Sequence, residues 1–104
     1  MKHAELHFEQ VVGSTRGYFV EENPIGINLL IHLKNEGDRL LQLIVTLVNA
    51  TITTIDVEPH SEFAFGVTSV QTIGIAASKS PDIGTPIGKG TLILIPNFSE
   101  MNLS

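Results

Sequence analysis

The sequence predicts an all-β chain: a single-domain antiparallel β-sandwich of jelly-roll type, with about eight strands. Three observations lead there. Apolar and polar residues alternate at period two through five segments. Breaks rich in Gly, Pro, Asn and Ser recur about every 8–12 residues. No stretch of ~10 residues or more presents a helical apolar face.

Length and composition set the frame. The chain of 104 residues makes one domain, and 42% apolar residues suffice for one core. Only 16% are charged, against about a quarter in an ordinary soluble domain, so partners are expected to cover part of the surface. Eleven acids against six bases leave a net charge of −5. The bases are scattered, so no cluster exists to neutralise phosphates, and nucleic acid is not an expected partner. An anionic membrane surface is disfavoured for the same reason. No apolar run reaches the ~18 residues of a spanning helix, so no membrane insertion is expected. There is no cysteine, which removes disulfides and thiolate metal sites. MKHAELHFEQ has no apolar signal-peptide core, so the expectation is a protein made in the cytoplasm without that export route.

Each element then follows in order. Ala4 to Val12 places Ala4, Leu6 and Phe8 on one face and His3, Glu5, His7 and Glu9 on the other, a strand with one wet side. Gly13 to Gly17 reads as a glycine-flanked linker. Residues 1–17 are therefore expected to form an N-terminal strand or connector, and 18–104 the sandwich domain. Tyr18 to Val20 is a short strand ended by Glu21-Glu22-Asn23-Pro24. Ile27 to Lys34 alternates again, and Asn35-Glu36-Gly37-Asp38 makes a tight turn after it. Arg39 to Val57 is the most apolar stretch. Leu41, Leu43, Val45 and Leu47 share one face, and the stretch is expected to pair back on Ile27–Lys34 and to bend near Asn49-Ala50 into the other sheet.

Glu58-Pro59-His60-Ser61 is a turn. Glu62 to Val67 puts Phe63, Phe65 and Val67 on one face, where the two rings are expected in the core. Thr68-Ser69 reads as a break before Val70 to Ala77. Ser78 to Lys89 is punctuated by Pro81, Gly84, Pro86 and Gly88, so it is expected to be irregular. Gly90 to Pro96 is the last strand, followed by a polar tail.

Candidate chemistry is thin. His3, Glu5, His7 and Glu9 share a strand face and could reach one divalent ion. A solvated polar face accounts for them as well, and no second shell is evident, so no metal or other cofactor is expected. His3-Ala4-Glu5 matches the H-x-E of zinc deaminases, whose paired cysteines are missing here. Asp56, Glu58, His60 and Ser61 bring an acid, a base and a nucleophile together in sequence, but extended neighbours point apart and no nucleophile elbow surrounds Ser61. Gly84, Gly88 and Lys89 miss the Walker spacing, and no Ser or Thr follows the lysine. Asn49-Ala50-Thr51 is a glycosylation sequon set inside the most apolar stretch. His32 gains no nameable ligand partner.

The reading is a non-enzymatic structural subunit that self-assembles through strand edges into a fibre or ring. Leu6, Phe8, Leu30, His32, Leu92 and Leu94 are the expected contacts between copies: the strands around Leu30–Leu33 and Leu92–Ile95 have little of the charge and proline that blunt a free edge, and Leu6 and Phe8 lie on a strand that its glycine-flanked linker lets exchange into a neighbour's pockets. Two alternatives stay open: a small cupin-like barrel that binds a ligand, and a component of a viral particle or tail.

A resemblance adds to this. The run Val57-Glu58-Pro59-His60-Ser61-Glu62-Phe63-Ala64-Phe65-Gly66-Val67, with Val70-Gln71-Thr72-Ile73-Gly74-Ile75 after it, resembles a passage of the bacterial endospore appendage (Ena) fibre subunits. Gly88-Lys89-Gly90-Thr91-Leu92-Ile93-Leu94-Ile95 is similar to their closing G-x-G-x-hydrophobic strand. The turn at Asn35–Gly37 also sits where those subunits have one. The match covers the C-terminal two-thirds of the chain. It implies a jelly-roll subunit that stacks into a pilus-like fibre on a spore surface, by sheet augmentation and an N-terminal connector. Those subunits staple the connector with cysteines, which this chain lacks.

Overall fold

Period-two patterning becomes strand throughout. A computed structural model describes residues 3–78 and 86–96. It contains β1 (Ala4–Val11), β2 (Thr15–Val20), β3 (Ile27–Asn35), β4 (Leu41–Leu47), β5 (Ile52–Val57), β6 (Glu62–Ala77) and β7 (Ile87–Pro96), with no helix among the described residues. The polar tail after Pro96 and the middle of the proline-punctuated stretch, 79–85, lie outside the described residues.

All pairings are antiparallel. The hydrogen-bonded path runs β1-β7-β3-β6-β4-β5, with β2 also on β6. The 16-residue β6 makes this path two layers. Its first half pairs with β3, from Lys34↔Glu62 to Ile27↔Val70. Its second half pairs with β4, from Leu47↔Val70 to Leu41↔Ala77, and with β2. The register of β3 slips beside Val67–Val70 and that of β4 beside Val70–Thr72, and Ser69 has φ 59°. Such slips bend a strand and re-aim it. Layer one is thus β1, β7, β3 and the first half of β6. Layer two is β2, the second half of β6, β4 and β5.

The core lies between the layers. Leu29, Ile31, Leu33, Leu92, Leu94 and Phe8 come from layer one, and Leu41, Leu43, Val45, Ile73, Ile75 and Val57 from layer two. Each such side chain contributes about 1.5–3 kcal/mol by leaving water. The alternating partners Leu30, His32, Ile44 and Thr46 are half-buried on the outer faces.

Several details differ from the sequence reading, each for a physical reason. Among the described residues seven strands replace about eight because β6 runs on through Thr68-Ser69; it fills one strand position in each layer. Ile27–Lys34 and the Arg39 stretch do not pair. The turn between them crosses layers, held by the buried Asn35, whose Nδ2 donates to the carbonyls of Arg39 (2.7 Å) and Val57 (2.9 Å). Arg39 to Val57 is not one bent strand but the hairpin β4–β5 within layer two, turned at Ala50 with φ 69°. The sequon Asn49-Ala50-Thr51 is therefore an exposed turn.

Thr15–Gly17, read as linker, already belongs to β2. β7 starts at Ile87 rather than Gly90, since β1 extends its pairing to Val11↔Ile87. Gly90 is required there: a Cβ would sit 2.2 Å from the Lys34 carbonyl oxygen.

Phe63 is not buried in the core, and Phe65 packs against it only half-buried. Both face inward, opposite Leu33 and Ile31, but on the rim strand of layer one. Phe63 is 43% exposed and Phe65 half-buried.

Candidate functional site

A two-layer sandwich has four rim strands, and their backbone groups on the outer side are what another chain can pair with. Here the rims are β1 and the first half of β6 in layer one, and β2 and β5 in layer two. The two flanks they define differ.

The flank between β1 and β2 is sealed by side chains. The Phe8 and Tyr18 rings meet at 5.3 Å between centroids. The buried Gln10 lies beneath them. Its Nε2 donates to the Ile75 carbonyl (2.9 Å) and the Ser14 carbonyl (3.1 Å), and its Oε1 accepts from the Tyr18 hydroxyl (2.8 Å). Arg16 lies 5.9 Å from the Tyr18 ring centroid and reaches the Glu9 carbonyl at 3.5 Å. Burial pushes the Tyr18 phenol above its ordinary value, with the Arg16 cation pulling weakly the other way.

The flank between the first half of β6 and β5 is open. Among the described residues no strand pairs with the free side of Glu62–Val67. Phe63 stands exposed there, its ring 5.4 Å from that of Phe65. On β5, Ile52 is 62% exposed. Glu62 and Asp56 are the charges on these two segments, and neither contains proline. Natural rims are usually blunted by just those residue types.

The expected contact residues separate into groups. Leu92, Leu94 and Phe8 are spent inside the chain's own core. Leu30 and His32 lie half-buried on the outer face of β3, an interior strand. Leu6 is half-buried on β1, against the core. Of the expected contacts, only Leu6 and Phe8 belong to a rim strand. The strands of Leu30–Leu33 and Leu92–Ile95 are both flanked on each side, so neither is a free edge. The rim at Phe63 was missed because its alternation is the same as that of a core strand.

The polar clusters do not assemble chemistry. His7 Nε2 lies 3.2 Å from Glu5, and its Nδ1 is 2.9 Å from the Thr91 hydroxyl, which donates to Glu36. Among the described residues no three His, Asp or Glu side chains converge on a metal position. The Ser61 hydroxyl donates to the Glu58 carbonyl at 2.6 Å, not to His60, and Asp56 accepts from Gln42. The Gly84 end of the would-be phosphate loop lies outside the described residues; Gly88 and Lys89 are strand. One cleft, about 480 Å³, is lined by Glu21, Asn23, Ile25 and Ser69 among others, and among the described residues that line it there is one carboxylate and no base.

A similar solved structure comes from Bacillus endospore appendages, described as a novel family of disulfide-linked pili. It is 15% identical, with a TM-score of 0.63 over 88% of this chain and 83% of that one. At that identity the likeness is one of fold. No protein-family pattern matches this sequence, and no curated protein does.

Proposed function

We propose that the chain is a non-enzymatic structural subunit that associates with its own copies through free strand edges to build a fibre, as a spore-surface appendage. The observation that carries this is the unpaired first half of β6, with Phe63 exposed beside it. An added strand would complete the backbone ladder of layer one and cover the Phe63 and Phe65 rings. The fold shared with a pilus subunit supports the reading, as does the low charge content of 16%. Linkage by disulfides is not open to a chain without cysteine. Cohesion would rest on main-chain bonds and apolar contact. β1 is the second rim that can take part. An exchanged β1 would carry Leu6 and Phe8 into the matching pocket of a neighbour.

Light scattering tests this. The full chain at micromolar concentration should show a mass several times 11.3 kDa, with filaments visible by negative stain. Phe63→Lys should lower that mass while shifting stability by no more than about 1 kcal/mol. A full chain that stays monomeric across concentrations overturns the proposal.

A further inference from the structure

The two outer faces of the sandwich differ in charge. Layer one presents Glu5, His7, His32 and Glu62 on its outer face, with His7 against Glu5 and His32 against Glu62, each at 3.2 Å. Layer two presents rows across β5, β4, β6 and β2. The middle row reads Thr54, Ile44, Gly74, Gly17, and the next reads Ile52, Thr46, Thr72, Val20. Neither row holds a charge. Asp56 stands at the corner of the third row, where it accepts from Gln42 at 3.2 Å.

Large apolar side chains stand out of this uncharged face. Val20 is 69% exposed and Ile52 62%, at the two rims of one row, and Ile44 is half-buried in the row beside it. Exposed apolar residues gathered on one face, rather than scattered singly, mark a contact surface. Gly17 is an independent sign. A Cβ there would meet nothing within 4 Å, and its φ is not positive despite the register slip beside it, so nothing inside the chain calls for glycine. Glycine weakens a strand interior, and one that the fold does not need leaves room for another chain to approach. Gly74 has an internal reason, since a Cβ would lie 3.1 Å from the Arg16 carbonyl oxygen.

We infer that the outer face of layer two is the contact of a two-fold pair, and that its occupant is the same face of a second copy of the chain. The face is complementary to itself. A two-fold axis parallel to the strands, midway between β4 and β6, lays β4 over β6 of the second copy and β5 over its β2. Ile44 then fills the space above Gly74, Thr54 that above Gly17, and Ile52 meets Val20. Large meets small along the middle row, and apolar meets apolar at the rims. Asp56 falls at the outer corner and keeps its water, so the pair buries no charge. A charged partner would find no ion pair in either of these rows.

The size of the face sets the strength. Four strands about 4.8 Å apart and three rows about 6.8 Å apart make a flat patch of roughly 400 Å² on each copy, and more once side-chain relief is counted. A pair joined this way falls at or below about 1,200 Å² in total, the weak and reversible end of specific interfaces. The contact is isologous, so it closes at two copies. It uses a sheet face, not a strand edge, so it stands apart from the edge pairing proposed above.

Sedimentation equilibrium of the full chain carrying Phe63→Lys, which blocks the open edge, tests it. Between about 10 µM and about 1 mM the mass should rise from one copy towards two. Gly17→Gln in that background fills the space over Gly17 and should weaken pairing at least about tenfold, with no loss in melting temperature because its side chain meets open space. Thr46→Lys should weaken it as much, and since β4 is an interior strand its effect cannot come from an edge. Ala64→Gln, on the outer face of layer one, should leave the rise intact. A mass that stays at one copy up to about 1 mM, a rise that either Gly17→Gln or Thr46→Lys leaves unchanged, or one that Ala64→Gln lowers as much as they do overturns the inference. Failure of edge pairing is read separately, as a full chain without Phe63→Lys that is monomeric at micromolar concentration, where the face contact is not yet populated.

Discussion

The Tyr18 hydroxyl donates a 2.8 Å hydrogen bond to Oε1 of Gln10, one of the contacts that tie the two layers together along the sealed flank. Gln10 belongs to layer one and Tyr18 to layer two, and the Gln10 amide also donates to the Ile75 carbonyl of β6. Both polar atoms of the amide are thereby engaged, on a side chain that is itself buried.

Alkaline titration should expose this bond. Burial holds the Tyr18 phenol above its ordinary value. The folded state thus keeps its proton to higher pH than the unfolded chain does. The stabilisation is full below about pH 10, the unfolded value, and is lost as pH rises through the folded value. Tyr18 is the only tyrosine and there is no tryptophan, so phenolate absorbance reports it alone. Tyr18→Phe should remove this part of the alkaline loss in melting temperature. An unchanged alkaline profile would place the titration elsewhere.

Asn35 should be costly to replace. It is 2% exposed, donates to two carbonyls and accepts from the Gly37 amide at 3.1 Å. Asn35→Ala would strand those buried backbone groups at the crossing between layers. Chemical denaturation should register a loss of about 3 kcal/mol.

Ala50 should gain from becoming glycine. Its φ of 69° lies in the left-handed region, where a Cβ crowds the following carbonyl. The turn itself is well bonded, with Leu47 and Thr51 joined at 2.9 Å and the Thr51 amide donating to Asn49 Oδ1 at 3.0 Å. Ala50→Gly keeps those bonds and relieves the crowding, so stability should rise by about 0.5–1 kcal/mol in a denaturant midpoint comparison.

Core and rim should respond to truncation by different amounts. Leu43 is fully buried in β4, and Leu43→Ala should cost about 2–5 kcal/mol. Phe63→Ala should cost less than about 1 kcal/mol in the isolated subunit, since the ring is 43% exposed. Its effect should show in assembled mass instead. A large loss of stability for Phe63→Ala would mean the ring is buried after all.

Alternation alone determined the fold class and most of the core. Leu29, Ile31 and Leu33, and likewise Leu41, Leu43 and Val45, sit at period two, and that spacing leaves one apolar face per strand to bury. The absence of cysteine settled equally early that no disulfide holds the chain. Which strands are rims was not legible, because a rim strand and an interior strand share the same two-residue period. Phe63 and Phe65 alternate as well as any core pair, yet their half of β6 has a strand neighbour on one side only among the described residues, and Phe63 is left exposed. Long-range pairing decided that. β6 bends at Val67–Val70 and serves both layers, and Asn35 turns the chain across the core instead of back on itself. Gathering Glu5, His7, His32 and Glu62 on one face likewise needed the registers of β1, β7, β3 and β6, since residues far apart in sequence become neighbours only when strands pair.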